Sequence, residues 1–126
     1  MIDRRAMMAA SAAFAIAGDA GAESATPMYG MIGRMKAVPG KRAALAAILL
    51  EGTDAMPGCL SYVVAEDVAD ADALWITEVW TSKQAHDDSL KLPVVQDAIR
   101  RGRPLIAGFD SNAVTTPLGG VGLPKG

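Results

Sequence analysis

The sequence predicts a single α+β domain whose elements follow the order β-α-β-β-α-β. Its 126 residues are 51% apolar and 21% charged, a balance typical of one folded domain. Segments with period-two alternation or β-forming residues are separated by segments with helical spacing or helix-start signals. This order is the split β-α-β arrangement, which predicts a four-stranded antiparallel sheet with the helices on one face.

The first strand and helix are separated by a clear turn signal. Residues 29–37 alternate with period two, and Pro39 and Gly40 end the strand. A helix is predicted over residues 41–53 because its apolar residues recur at helical spacing. That stripe consists of Leu45, Ile48, Leu49 and Gly52.

The second and third strands are predicted over residues 59–66 and 73–81, joined by a polar hairpin at 67–72. Alternation places Tyr62 and Glu78 on the same side of their strands as apolar neighbours. The opposite side is also partly apolar and is expected to meet a second copy of the chain, sheet against sheet. The residues expected on that side are Cys59, Val63, Trp75 and Val79.

The last part of the domain is predicted to be two short helices and a strand. Thr81 and Gln84 have capping-box spacing, which predicts a helix that continues to about Leu90. A further turn or two of helix follows over residues 94–101, and the fourth strand spans 108–116. The glycine-rich tail, residues 117–126, is expected to be extended rather than packed.

The N-terminus has the organisation of an export signal. Arg4 and Arg5 precede a short apolar stretch over residues 6–17, and the small-residue sequence of residues 20–22 fits a cleavage site. We therefore predict a signal peptide at 1–25, of the twin-arginine or general secretion type, a mature domain at 26–116 and a periplasmic location. An ordinary N-terminal helix is the alternative interpretation.

Composition excludes several classes of function. The net charge of −2 makes nucleic acid an unfavourable partner. Cys59 and His86 are the single cysteine and histidine, so no metal site is expected. No apolar stretch approaches the roughly 20 residues of a membrane span, so no membrane contact is expected after signal removal.

Three segments resemble the antibiotic-biosynthesis monooxygenase family. They are Met-Pro-Gly-Cys-Leu-Ser-Tyr at 56–62, Trp-Ile-Thr-Glu-Val-Trp-Thr-Ser-Lys-Gln-Ala-His at 75–86 and Arg-Pro-Leu-Ile-Ala-Gly-Phe at 103–109. The last is similar to members described as quinol monooxygenases, and the resemblance spans about 28–123. It implies ferredoxin-like monomers paired as a dimeric α+β barrel, with an apolar pocket between each sheet and its helices. It also implies oxidation of a quinol or polycyclic phenol by molecular oxygen without a cofactor.

Four residues are candidates for the chemistry. The family's strand tryptophan, here Trp80, borders the substrate, and Glu78 lies two residues earlier, where it either pairs with a base such as Arg34 or lines a wet pocket. His86, the candidate base, lies near a helix start, which favours a neutral ring that can accept a proton. Many family members carry their histidine where this chain has Asp88, so its role does not transfer directly. Tyr62 is placed to bind a substrate oxygen.

Weaker candidates complete a substrate pocket for a small aromatic molecule, and core packing is the alternative for Met31, Met35 and Leu49. They are Met31, Arg34, Met35, Leu49, Leu60, Ile76, Leu90 and Asn112. A second hypothesis is a dimer that binds such a ligand without turnover, because a fold does not prove a function. A haem-degrading relative is a third.

Overall fold

The computed structural model describes residues 26–124. Its four strands are β1 (Tyr29–Ala37), β2 (Cys59–Glu66), β3 (Ala73–Trp80) and β4 (Ile106–Thr115). Its three α-helices are α1 (Arg42–Leu50), α2 (Lys83–Ser89) and α3 (Pro93–Gly102), and short 3₁₀ turns follow α1 and α3. The strands form one antiparallel sheet in the order β2-β3-β1-β4, which confirms the predicted α+β, ferredoxin-like fold class.

The strand register defines two faces of the sheet. Residues paired across strands share a face, and Met35 pairs with Leu74 while Gly33 pairs with Ile76. We call this helix-covered side the inner face. The core of the domain lies there, where Leu45 of α1 packs against the strands. The opposite side, the outer face, carries Ile32, Val63, Trp75 and Val79. The last three of these were predicted there from the alternation along their strands.

Helix α1 is shorter than predicted. It ends at Leu50 rather than Thr53, because Glu51 is extended and Gly52 has a left-handed backbone with φ of 68°. A Cβ atom at Gly52 would also lie 2.8 Å from Val94 Cγ2, so the turn that follows α1 leaves no room for a side chain against Val94 of α3.

The boundaries of the later elements also differ slightly from the prediction. The N-cap of α2 is Ser82, one residue later than expected, since its Oγ accepts from the Ala85 amide at 3.0 Å. The helix ends at Ser89, before Leu90. Strand β4 begins at Ile106 rather than Gly108, because Ile106 already pairs with Ala37 of β1.

A β-bulge at the start of β2 overturns one predicted orientation. Cys59 pairs with Trp80 and Ser61 with Val79, so Leu60 is an extra residue without a partner. Cys59 therefore shares the inner face with Trp80, and its predicted place on the outer face was wrong.

An ion-pair network on the outer face anchors the β2–β3 connection. The Arg34 guanidinium donates to Asp67 at 3.2 Å, to Asp70 at 3.1 Å and to Asp110. Asp67 also accepts from Trp75 Nε1 at 2.8 Å and from two backbone amides of its own turn. The Trp75 hydrogen bond, these amides and Arg34 hold the pKa of Asp67 well below its usual range.

Acid should destabilise the domain through Asp67. A carboxylate with a lowered folded-state pKa stabilises the fold above its unfolded pKa, and this contribution is lost as the pH falls below about 4. We expect Asp67→Asn to lower the melting temperature at neutral pH and to weaken its dependence on acid. Thermal unfolding monitored by circular dichroism between pH 3 and 7 measures both effects.

The matched control is Asp54→Asn, at a carboxylate that makes no hydrogen bond with any residue between 26 and 124. An acid profile changed equally by both substitutions would contradict the role of Asp67.

The C-terminal tail has no regular secondary structure in its described part. Residues 1–25, which carry the predicted signal peptide, lie outside the described residues. Residues 117–124 contain no strand or helix, and Leu118 and Val121 are exposed. Over the described range, no helix has the length and apolar character needed to cross a membrane.

Candidate functional site

An apolar cavity of about 410 Å³ lies against the inner face of the sheet, beneath α1 and α3. Its walls are mainly aliphatic and aromatic, which suits a flat apolar ligand. Phe109 of β4 contributes to the wall although the residue is 67% exposed. The apolar wall residues include Met35, Leu45, Leu49, Met56, Val95, Ile99 and Ile106.

A smaller cavity of about 110 Å³ adjoins the first, and four wall residues are common to both. Those residues are Met35, Leu49, Tyr62 and Phe109. The smaller cavity also contains polar groups, from Tyr62, Glu78 and Asn112. Together the two cavities form a space with a large apolar part and a polar part against the sheet.

The sheet register brings the polar groups together. Tyr62 of β2 and Met31 of β1 flank Glu78 of β3 as its direct cross-strand partners. Gly33 of β1 pairs with Asn112 of β4. The missing side chain at Gly33 leaves room for the small cavity, because a Cβ atom there would approach only the Ser111 carbonyl oxygen, at 3.7 Å.

Tyr62 is a protonated hydroxyl group in this site. Its burial, together with the nearby Glu78 carboxylate and Cys59, raises the pKa of Tyr62 well above its usual range. The phenol therefore stays neutral at any physiological pH. It can donate a hydrogen bond to a ligand oxygen in the smaller cavity.

Trp80 holds Glu78 from within the core. The indole is 1% exposed and lies outside the walls of both cavities, so it does not border the space directly. Its Nε1 donates to Glu78 Oε1 at 3.0 Å. One carboxylate oxygen is therefore fixed by the core.

His86 packs beside Trp80 rather than in the cavity walls. Its ring meets the indole edge-on with centroids 5.5 Å apart, and lies 5.2 Å from the ring of Tyr29. Its Nδ1 is 3.1 Å from Asp87 Oδ1. The candidate base, His86, therefore lines neither cavity. It contacts Trp80, which in turn donates to Glu78.

The structure brings most of the predicted pocket residues to the two cavities but not all. Seven of them line a wall: Met31, Met35, Leu49, Tyr62, Ile76, Glu78 and Asn112. Arg34 lies on the outer face and bonds to Asp67, so its expected pairing with Glu78 does not form. Leu60 forms the bulge, and Leu90 follows α2 at the surface; neither lines a cavity.

Some wall residues were missed from the sequence. Gly33 gave no signal beyond its place on the Met31–Met35 side of β1. Phe109 and Asn112 are three residues apart, and alternation puts such residues on opposite faces. A register shift in β4 brings both to the inner side, since Arg34 pairs with Ser111 whereas Met35 pairs with Phe109.

The site contains few groups that could bind a metal. Among residues 26–124, no three His, Cys, Asp or Glu side chains are arranged to hold a metal ion. Cys59 is a free thiol whose pKa is raised, mainly by burial and further by Glu78. The polar wall groups of the smaller cavity can accept hydrogen bonds from a ligand head group and donate hydrogen bonds to it.

Comparison with known proteins places this architecture in a family. The model of the antibiotic biosynthesis monooxygenase family matches residues 28–101. A Chloroflexus aurantiacus J-10-fl protein, provisionally named an antibiotic biosynthesis monooxygenase, is 62% identical with a TM-score of 0.75, over 77% of this chain and 99% of that one. No curated protein matches the chain.

Two further solved structures share the fold. One, from Mycobacterium tuberculosis, is 26% identical with a TM-score of 0.63, over 75% of this chain and 98% of that one. The other, from Caulobacter crescentus, is 21% identical with a TM-score of 0.62 over 71% of this chain and 87% of that one, and supports the fold alone. With the family model matched over more than half of its length, this chain belongs to the antibiotic biosynthesis monooxygenase family.

Proposed function

We propose that the chain is a monooxygenase that oxidises a quinol or polycyclic phenol with molecular oxygen and without a prosthetic group. The observation that carries this proposal is the apolar cavity with a polar part formed by Tyr62, Glu78 and Asn112. The apolar walls would hold the ring system, and the polar groups would orient its hydroxyl.

In this reaction the substrate supplies the electrons. For a hydroquinone ring, one oxygen molecule converts the quinol to a hydroxyquinone and water. One oxygen atom replaces a ring hydrogen as a hydroxyl group, the other leaves as water, and the four electrons come from the ring. The protein excludes water, orients the hydroxyl and accepts its proton.

Filling the smaller cavity should abolish the activity. We expect Gly33→Val to remove oxygen uptake with quinols and polycyclic phenols while the fold is retained, because valine suits a strand and the first added carbon meets nothing closer than 3.7 Å. The full chain, freed of metals, would be assayed against a small panel of these compounds. The rate of autoxidation without protein is subtracted.

Gly108→Val is the matched control. Gly108 also lies in a strand, pairs with Lys36 on the outer face and has open space around its Cβ position. Uptake equal in both variants would contradict the cavity as the site. Tight binding without uptake across the panel would instead favour a ligand-binding dimer that performs no chemistry.

We also propose that two copies pair through their outer faces. Ile32 is 38% exposed and Val63 51% exposed on this face, and Arg34 there is neutralised by its carboxylates. Light scattering should give about twice the monomer mass. Val63→Lys should reduce it to the monomer, and a monomeric wild-type chain would contradict the pairing.

Residues 1–25 are proposed to direct export to the periplasm. Expression in a bacterial host should yield a mature N-terminus near residue 23 or 26 in the periplasmic fraction. An intact N-terminus in the cytoplasm would contradict the proposal.

A further inference from the structure

We propose that Glu78 selects the substrate by its head group: it accepts a hydrogen bond from a neutral aromatic hydroxyl and repels a carboxylate. This inference rests on the proposed function for the identity of the ligand as a hydroxylated aromatic. It goes further by naming the residue that distinguishes a phenol from an aromatic acid of the same shape.

Glu78 has one carboxylate oxygen free for a ligand. Oε1 accepts from Trp80 Nε1, while Oε2 has no hydrogen-bond partner among the described residues. Every fully buried side-chain oxygen and nitrogen in the described part of the chain does have a partner. Oε2 is therefore accessible, and the accessible space next to Glu78 is the smaller cavity.

The charge of Glu78 is not neutralised by a cation. No arginine, lysine or histidine between residues 26 and 124 forms a salt bridge with it. The other carboxylate at the cavities, Glu51, differs in this respect, since both its oxygens accept from Arg101, at 2.7 and 3.2 Å. Glu78 is thus a carboxylate without a neutralising cation beside an apolar space, where charge interactions are weakly screened.

Such a group discriminates between head groups. A phenol or quinol can donate its hydroxyl hydrogen to Oε2, while Tyr62, opposite on β2, can donate its own hydrogen to the ligand oxygen. A carboxylate in the same place would offer no hydrogen to Glu78 and would meet a like charge. The preference therefore comes from both an added hydrogen bond and a repulsion.

The same hydrogen bond prepares the proposed oxidation. When the bound phenol gives an electron to oxygen, its hydroxyl proton can pass to Glu78. Phenol, carboxylate and oxygen then become a phenoxyl radical, a carboxylic acid and superoxide, with the net charge unchanged. His86 is less suited to this step because it lines neither cavity.

The test compares 2-naphthol with 2-naphthoate, which share a ring system and differ in the head group. Binding is measured without oxygen by calorimetry on the full chain at neutral pH. We expect Glu78→Gln, which keeps the shape and removes the charge, to reduce the preference for 2-naphthol by about ten- to a hundredfold. Most of the change should come from tighter binding of 2-naphthoate.

Two variants make the result specific. Glu66→Gln is the same change at an exposed glutamate outside both cavities and should leave the preference as it is in the wild type. Glu78→Asp keeps the charge and should retain most of the preference, which covers the case in which Glu78→Gln does not fold.

The outcomes separate this inference from the proposed function. An unchanged preference in Glu78→Gln, or binding of neither probe by the wild type, would overturn it. Oxygen uptake with an unchanged preference would refute the selection alone. A preference that depends on Glu78, without any uptake, would support selection and refute the proposed oxidation.

Discussion

Replacement of Leu45 by alanine is expected to lower the free energy of unfolding by about 2–5 kcal/mol. Leu45 is fully buried on the inward side of α1 and belongs to the core cluster with Met35 and Leu74. It also forms a wall of the larger cavity, so the space left by its side chain adds to an existing void rather than being filled. The expected loss is therefore due to lost apolar burial and lost packing together.

Urea denaturation of Leu45→Ala at neutral pH measures this loss. Leu50→Ala is the matched control, since Leu50 lies in the same helix with 51% of its surface exposed and should lose less than about 1 kcal/mol. Equal losses in the two variants would contradict the placement of α1 on the sheet.

Trp80→Phe is expected to reduce turnover by about ten- to a hundredfold, through the position of Glu78 rather than through contact with the substrate. The phenyl ring retains most of the packing but cannot donate to Glu78 Oε1, which frees the carboxylate to rotate. We also expect a loss of about 1–3 kcal/mol in stability, from the missing hydrogen bond and the smaller ring. As a positioning effect, it should also weaken the preference for 2-naphthol over 2-naphthoate.

Trp75→Phe is the matched control for Trp80→Phe. Trp75 lies on the same strand, and its Nε1 also donates to a carboxylate, that of Asp67 at 2.8 Å, but on the outer face. Its loss should leave ligand preference unchanged, lower the melting temperature at neutral pH and weaken its dependence on acid, because the pKa of Asp67 would rise towards its unfolded value. If both variants changed turnover alike, Trp80 would have only a packing role.

Alternation along the strands predicted the inner side of the site well. Tyr62 and Glu78 were assigned to sides that include Val64 and Ile76, and the register indeed makes them direct partners. This succeeded because the side-chain period of two is a property of each strand alone. Alternation also separates Arg34 from Met31 and Met35, a signal that should have kept Arg34 out of the predicted pocket.

Features that depend on pairing between strands could not be predicted in this way. The bulge at Leu60 moves Cys59 to the inner face, and the register shift in β4 brings Phe109 beside Asn112. Neither irregularity is marked by a proline or by a glycine at the shifted position. Each results from the pairing of two strands distant in sequence.

The position of His86 outside the cavity walls could not be predicted from the sequence either. A helix start was recognised, but where His86 points depends on how α2 lies against the sheet, which a capping signal does not specify. The ring consequently packs on Trp80 and Tyr29, and Glu78 becomes the accessible candidate for proton transfer.

The central claim, a monooxygenase reaction in the inner cavity, is tested most directly by turnover of a quinol under isotopically labelled oxygen gas. The mass of the product is compared between the wild type and Gly33→Val. We predict that the wild type places one labelled oxygen atom in each hydroxyquinone, with the other in water, and that Gly33→Val forms no product above autoxidation. An unlabelled product, or equal labelling in both proteins, would contradict the claim.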